Sequence, residues 1–199
     1  VNLVVMHRYY SPEYDTFYAT AFSETSRINN ESGFYLGAEI RPYKKWKISA
    51  YADSYRFPWA KYGIDVPSVG ADYLLQADYA ARRNISMFWR FKYEEKQGNV
   101  SQTESAMPVV APIQKLSMRY SLSYKFGNFS FKNVLEGNLV RKADAPWTYG
   151  VIASQDVSYD FKTIPLQVDF RYQFFDSLKY ENRLYSYETD VLYAFSIPM

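Results

Sequence analysis

The feature that most constrains the fold is the alternation of apolar and polar residues in 115–142, on both sides of Gly127-Asn128. Successive side chains of a β-strand point to opposite faces, so strict alternation predicts strands with one apolar and one polar face. The glycine–asparagine pair is typical of a tight turn between antiparallel strands. The segment is therefore predicted to be a β-hairpin, whose apolar face meets either a protein core or lipid.

The same alternation recurs along the chain and predicts about ten strands in all. The N-terminal VNLVVMHRYY lacks the basic region and cleavage site of a signal peptide, and it indicates a further strand. Alternation is weaker where both parities carry aromatic or small residues, in 46–57 and 72–81. Besides the hairpin, the segments with clear alternation are 34–41, 85–94, 149–161, 166–174 and 184–197.

Short and long connections are predicted to alternate along the chain. The short turns are 42–45, 82–84, 127–128 and 162–165. The longer loops are 11–32, 58–71, 98–114, 143–148 and 176–182. In an up-and-down antiparallel sheet, this order puts the short turns at one rim and the long loops at the other. Bacterial outer-membrane barrels have that asymmetry.

Strand length and aromatic content favour lipid over a protein core. Globular strands usually have ~5–6 residues, whereas a tilted membrane strand needs ~9–11. The hairpins at 85–97, 115–142 and 149–175 meet the longer requirement. Aromatic residues make up 20% of the chain, and a barrel of about eight to ten strands has little interior space for so many rings. The mean hydropathy of -0.38 does not exclude a membrane barrel, because only alternate strand residues face lipid.

The alternation assigns individual side chains to two faces. Lipid-facing positions are predicted at Leu36, Ile85, Met87, Trp89, Phe91, Leu116, Met118, Tyr120, Leu122, Phe131, Leu135, Val168, Phe170 and Tyr172. The lumen is predicted to be lined by Glu39, Arg41, Arg90, Lys92, Glu94, Arg119, Lys125, Lys132, Glu136, Asp156, Asp160, Asp169, Arg171, Glu188 and Asp190. Both charge signs are about equally frequent there, which predicts internal ion pairs rather than a field that selects ions.

Aromatic residues near the strand ends are predicted to form girdles at the two membrane–water interfaces. One girdle would contain Tyr43 and Trp46. The other would contain Phe57, Trp59 and Tyr62, or Trp147 and Tyr149.

The sequence offers little for catalysis or for cofactor binding. The single histidine, His7, has only Ser11 as a nearby nucleophile, so a strand histidine on the lumen or at the interface is the simpler interpretation. One histidine and no cysteine argue against a zinc site, and no metal or cofactor is expected. The 23 basic and 21 acidic residues nearly cancel, so no nucleic-acid partner is indicated.

Three long stretches carry a family resemblance. They are YYSPEYDTFYATAFSETSRINNESGFYLGAEIRPYKKWKISAYADSYRFPWAKYG (9–63), LLQADYAARRNISMFWRFKYEEK (74–96) and ENRLYSYETDVLYAFSIP (181–198). They resemble the C-terminal barrel region of Bacteroides-type envelope proteins that are labelled helix-hairpin-helix domain-containing. The resemblance implies an outer-membrane location and a longer parent protein. The helix-hairpin-helix part has no counterpart here, so no DNA-binding role is carried over, and the resemblance supplies no catalytic residues.

Taken together, residues 1–199 are predicted to form a single all-β domain, an antiparallel up-and-down transmembrane β-barrel or part of a larger one. The end at Pro198-Met199, without the terminal aromatic residue typical of outer-membrane barrels, predicts that the barrel continues in a longer chain. The expected function is a non-enzymatic, porin-like channel, an uptake component or an envelope scaffold in the outer membrane of a Gram-negative bacterium. Its partners would be the lipid bilayer and other envelope proteins. The alternatives are a soluble barrel that binds an apolar ligand and an outer-membrane lipid-modifying enzyme.

Overall fold

The computed structural model describes residues 1–15, 21–82, 84–100 and 109–186, and these form one antiparallel sheet. Its strands are β1 (Asn2–Tyr10), β2 (Glu31–Ile40), β3 (Trp46–Phe57), β4 (Ser68–Arg82), β5 (Ile85–Val100), β6 (Val109–Phe126), β7 (Phe129–Lys142), β8 (Thr148–Asp160) and β9 (Gln167–Ser177). A single 3₁₀ turn, Tyr180–Asn182, follows β9. The part of the chain that the structure describes contains no α-helix.

The sheet has up-and-down topology, as the alternation predicts. Each strand pairs antiparallel with its neighbours in the chain, in the order β1 to β9. The described sheet is open, because β1 and β9 are its outermost strands. Of the predicted strand 184–197, residues 184–186 belong to no strand and the rest lies outside the described residues.

The strands are longer than those of ordinary globular proteins. They range from 9 residues in β1 to 18 residues in β6, against a usual ~5–6. The prediction of a loop at 98–114 is wrong at both ends, since β5 continues to Val100 and β6 begins at Val109. Val109, Val110 and Ile113 favour a strand, and residues 109–111 at one end of the segment pair with residues 98–100 at the other.

Connections alternate between the two rims, but their lengths are less regular than predicted. One rim carries 58–67 and 143–147, together with the connections from β1 to β2 and from β5 to β6, and we call it the long-connection rim. The opposite rim, with 41–45, 127–128, 161–166 and the connection from β4 to β5, is called the short-turn rim. Contrary to the prediction, 143–147 is shorter than 161–166. Long and short connections therefore alternate clearly only as far as the turn 127–128, that is, in the first three pairs of successive connections.

The tightest described turn lies between β6 and β7, where Phe126 pairs with Phe129. Gly127 has a φ of 61°, in the left-handed region that glycine adopts without steric cost. Two-residue turns with positive φ match the right-handed twist of the flanking strands, so they hold the register of a hairpin. This turn is what the sequence pattern predicts.

Candidate functional site

The register separates polar and apolar side chains onto opposite faces of the sheet. Residues directly opposite one another in neighbouring strands share a face, so a row of side chains can be followed across the strands. One such row joins Arg90, Arg119 and Glu136. We call the side that carries this row the polar face, and the other side the apolar face.

Most positions predicted to line a lumen lie on the polar face. They are Glu39, Arg90, Lys92, Glu94, Arg119, Lys125, Lys132, Glu136, Asp156, Asp160, Asp169 and Arg171. Arg41 lies just beyond β2, with its Nη2 3.2 Å from Glu39 Oε1. Glu188 and Asp190 lie outside the described residues.

All positions predicted to face lipid lie together on the apolar face. They are Leu36, Ile85, Met87, Trp89, Phe91, Leu116, Met118, Tyr120, Leu122, Phe131, Leu135, Val168, Phe170 and Tyr172. Most of their neighbours on this face are also apolar or aromatic, as Phe91 and Gly137 on either side of Met118. Exceptions are Asn133 beside Leu122 and Gln155 beside Tyr172, which are polar but uncharged.

The apolar face of β6 forms an uncharged band from Leu116 to Phe126. Every residue of this parity in the stretch is apolar or aromatic: Leu116, Met118, Tyr120, Leu122, Tyr124 and Phe126. At ~3.3 Å per residue and a tilt of ~40°, the band is about 25 Å high. That is the height of the lipid-facing band of outer-membrane barrels.

Tyrosines and polar residues mark both ends of this band. Tyr73 and Tyr93 lie in the row of Leu116, with ring centroids 6.3 Å apart, and the next row outward contains Glu95 and Gln114. At the other end, Tyr159 pairs with Phe129 and their ring centroids are 4.7 Å apart. Tyrosine combines an apolar ring with a polar hydroxyl, so it suits a boundary between hydrocarbon and water.

Burial of the two faces is the reverse of that in an ordinary soluble sheet. On the polar face, the exposed fractions of Glu31, Asp53 and Asp72 are 0%, 2% and 4%. On the apolar face, Phe170 is 64% exposed and Leu36 is 43% exposed. Soluble proteins usually bury large apolar side chains, whereas they bury carboxylates only rarely and in pairs with cations. The apolar face therefore lacks a partner surface within the described chain.

The most buried charges form a cluster between β1, β2 and β3. Arg8 donates through Nε to Glu31 and through Nη1 to Asp53 Oδ1, 2.8 Å away. Glu31 also accepts hydrogen bonds from Ser23 Oγ at 2.7 Å and from the backbone N–H of Glu24 at 3.0 Å. Buried charges need partners of this kind to offset desolvation. The cluster thus holds part of the connection 11–30 against the polar face.

A second group of charges continues the cluster across β4 and β5. Lys92 Nζ lies 3.3 Å from Asp72 Oδ2 and 2.8 Å from Glu94 Oε1. Lys96 Nζ contacts Glu24 Oε2 at 3.2 Å, which ties the first connection to β5. These contacts agree with the predicted internal ion pairs. The sequence prediction omitted Asp53 and Asp72, although their parity matches polar positions of neighbouring strands.

Aromatic side chains fill the polar face near the long-connection rim, although the residues predicted to line the lumen were all charged. Phe22 packs on Tyr35, with ring centroids 5.1 Å apart. Phe57 is buried rather than part of an interfacial girdle, because it shares the face of Tyr55 and packs 5.8 Å from its ring. Lys61 Nζ lies 3.2 Å above the Phe57 ring, and burial lowers the pKa of Lys61.

The other predicted girdle residues are at least partly accessible. Tyr43, Trp59, Tyr62, Trp147 and Tyr149 are exposed. Trp46 packs between Tyr79 and Trp89 on the apolar face, with centroid distances of 4.8 and 6.1 Å.

The chain after β9 turns back onto the polar face of β7 and β8. Asn182 is fully buried, and its Nδ2 donates to Asn138 Oδ1 and to the Thr148 carbonyl, each at 3.0 Å. Asn138 Nδ2 donates in return to the Asn182 carbonyl at 3.1 Å. Gly150 makes room for this contact, because a Cβ atom there would collide with the Asn182 carbonyl oxygen. The sequence prediction treated this stretch as a loop and missed the anchor.

A salt bridge supports the same anchor from the rim. Glu181 Oε1 lies 2.7 Å from Lys142 Nζ at the end of β7. The hydrogen bond from Lys142 lowers the pKa of Glu181. The segment 180–182 therefore covers the long-connection end of the polar face on β7 and β8, much as 22–24 covers it on β1 to β5.

The short-turn end of the polar face contains a cavity of about 1040 Å³. Its polar lining comes from β5 to β9 and includes Ser86, Ser123, Lys125, Ser130, Lys132, Asp156, Ser158, Gln167, Asp169, Arg171 and Gln173. A smaller cavity of 140 Å³ shares Lys132, Asp156 and Arg171 with it and is bounded by Tyr185 and Ser186. The polar face is thus filled at one rim and hollow at the other.

The geometry gives little support to His7 and Ser11 as a pair of catalytic residues. His7 lies on the apolar face opposite Phe34, not on the polar face, and it is exposed. Ser11 takes part in the described contacts through its backbone carbonyl, which accepts from Tyr14 and Asn30 at 3.1 Å. No group of three or more His, Cys, Asp or Glu suited to a metal ion occurs within 1–15, 21–82, 84–100 and 109–186.

Among the residues that the structure describes, no helix is both long and apolar enough to cross a bilayer. Comparison of the chain with protein-family models, curated proteins and solved structures gives no match. The two faces of the sheet and the cavity are therefore the features that bear on function.

Proposed function

We propose that this chain is a membrane-embedded β-barrel domain of the outer membrane of a Gram-negative bacterium. The observation that carries the proposal is the reversal of faces: an uncharged, exposed apolar face about 25 Å high opposite a buried polar one. In water this arrangement would leave large rings solvated and bury carboxylates. In a bilayer the rings contact acyl chains, and the charges line a protected interior.

The open edges bear on how such a barrel is completed. Unpaired backbone N–H and C=O groups cost several kcal/mol each in hydrocarbon, so membrane strands occur in closed barrels. β1 and β9 each have one unpaired side in the described sheet. The proposal therefore includes further strands that pair with both edges, as expected if these residues belong to a longer parent chain.

Within that barrel, the role is a channel, an uptake component or an envelope scaffold, and not catalysis. Segments 22–24 and 180–182 cover the polar face near the long-connection rim, which supports an interior that is restricted there. The cavity leaves the interior accessible at the short-turn rim. This arrangement favours uptake or scaffolding over a wide, permanently open pore.

The soluble alternative receives less support. A soluble barrel for an apolar ligand needs its apolar face enclosed and its charged face in water. Here serine, glutamine and charged residues of the polar face make up most of the cavity lining, and Ile85, Tyr124, Phe131 and Phe170 make up its apolar part.

Reconstitution tests the proposal. The longer parent protein, which supplies the strands that complete the barrel, is diluted from urea into phosphatidylcholine vesicles or into buffer without lipid, and association after an alkaline carbonate wash is measured together with far-UV circular dichroism. We expect β-structure and wash-resistant association only with vesicles. A folded, monomeric protein that stays in the aqueous supernatant would contradict membrane embedding.

A further inference from the structure

We propose that the 1040 Å³ cavity is a binding site for a small multivalent oxyanion, with phosphate or carboxylate groups. The inference starts from the charges of its wall. Lys125 and Lys132 lie on β6 and β7 in diagonal positions, since Lys125 pairs with Ser130 and Lys132 with Ser123. Diagonal neighbours on one face are ~7–8 Å apart at the backbone, so two flexible ammonium groups can reach one ligand.

The acidic groups of the wall already have partners. Asp156 binds Arg171 through both carboxylate oxygens, with Arg171 Nη2 2.8 Å from Asp156 Oδ2. Asp169 Oδ1 accepts from Gln167 Nε2 at 2.8 Å. By contrast, the ion pairs of the described residues include neither Lys125 nor Lys132. The wall thus carries three cations, Lys125, Lys132 and Arg171, against two carboxylates, Asp156 and Asp169, which leaves a net charge of +1, and neither lysine is held in an ion pair of the described chain.

The remaining lining suits an oxyanion as well. Ser123 and Ser130 add hydroxyl donors beside the lysines, whereas the Ser158 hydroxyl is hydrogen-bonded to Asp169. Hydrogen bonds between an ionised donor and an oxyanion are about twice as strong as neutral ones. A concave wall of low dielectric also concentrates the potential of the lysines, which attracts anions from solution. The wall thus combines charge, donors and enough volume for a ligand of several groups.

The site is distinct from the proposed membrane role, because it depends only on the polar face of β5 to β9. Failure of anion binding would leave the membrane proposal intact. Failure of the vesicle experiment would likewise leave the cavity to be tested in detergent.

The experiment measures binding of inorganic pyrophosphate to the full chain folded in detergent micelles at an ionic strength of ~0.15 M, by isothermal titration calorimetry. Citrate is the second probe, and maltose, which is neutral, is the third. We expect the Lys125→Gln/Lys132→Gln double variant to weaken pyrophosphate binding by at least about tenfold. The Lys125→Arg/Lys132→Arg variant retains binding because the charges remain.

The matched control is Lys44→Gln/Lys162→Gln, which removes the same charge from the connections at the same rim without touching the cavity wall. It should change pyrophosphate affinity less than about twofold, since exposed charges are largely screened. Unchanged urea midpoints show that each variant is folded. The inference is overturned by absence of pyrophosphate and citrate binding to the unmodified chain, by equal losses in both glutamine variants, or by binding of maltose in preference to the anions.

Discussion

Replacement of Leu122 by arginine distinguishes lipid from water as the surroundings of the apolar face. Leu122 lies near the middle of the band from Leu116 to Phe126, in the row of Met87. An arginine at the bilayer midplane of a barrel costs about 2–4 kcal/mol, and the cost falls to about 0–1 kcal/mol near the interfaces. On the exposed face of a soluble protein, the same change usually stays within about 0.5 kcal/mol. The two environments therefore predict clearly different losses of stability.

The matched control is Ser123→Arg, one residue along β6 and on the wall of the polar cavity. An arginine there can extend into the cavity beside Lys132, and we expect a cost below about 1 kcal/mol because these charges are accessible to solvent. Ser121 would be a poor control because it is 5% exposed, so a longer side chain must displace its neighbours. Leu116→Arg, at the end of the band, completes the series.

Unfolding by urea in phospholipid vesicles, followed by tryptophan fluorescence, measures the free energy of unfolding of each variant. We expect losses in the order Leu122→Arg, then Leu116→Arg, then Ser123→Arg. Equal losses at Leu122 and Ser123, or no dependence on depth along β6, would refute the assignment of the apolar face to lipid.

Three further predictions concern the polar face. Glu31→Gln should lower the free energy of unfolding by about 3–5 kcal/mol, because it breaks a buried pair with Arg8. Glu39→Gln, in an exposed pair with Arg41, should lower it by less than about 1 kcal/mol. Urea titration compares the two variants, and equal losses would contradict the buried cluster. Gly150→Ala should displace the segment 180–182 and speed tryptic cleavage at Arg183, while Gly137→Ala, whose added Cβ has ordinary contacts, should leave the rate unchanged. Because the pKa of Glu181 is lowered in the folded state, its carboxylate stabilises the fold at pH values above its unfolded pKa of ~4.3, and this stabilisation is lost as pH falls through the folded pKa. The free energy of unfolding, measured from pH 6 to pH 3, should therefore show a small decrease that Glu181→Gln lacks. Identical pH profiles of the two proteins would exclude the Lys142 contact as the source of the decrease.

The sequence predicts the faces of the sheet better than it predicts what covers them. Alternation is a local property of a strand, so Met118 and Arg119 could be assigned to opposite faces without knowing any partner strand. The Gly127-Asn128 turn was equally predictable, because its geometry depends on adjacent residues.

Features that depend on distant parts of the chain were not predicted. Arg8 meets Glu31 and Asp53 only after β1, β2 and β3 pair in one register. Phe57 was assigned to a girdle because it is aromatic and near a strand end, but its parity with Tyr55 places it on the polar face. The Asn182 anchor requires a glycine at 150 and an asparagine at 138, neither of which forms a recognisable motif in the sequence.

The strict order of the strands has a consequence for assembly. Since every strand pairs only with its neighbours in the chain, the sheet can grow by adding one strand at a time to a preformed edge. The entropic cost of closing each loop rises slowly with its length, so the step across 11–30 is the most expensive among the described connections. That step is also the one stabilised by the buried contact of Arg8 with Glu31, so the ion pair offsets the entropic cost of joining β1 to β2.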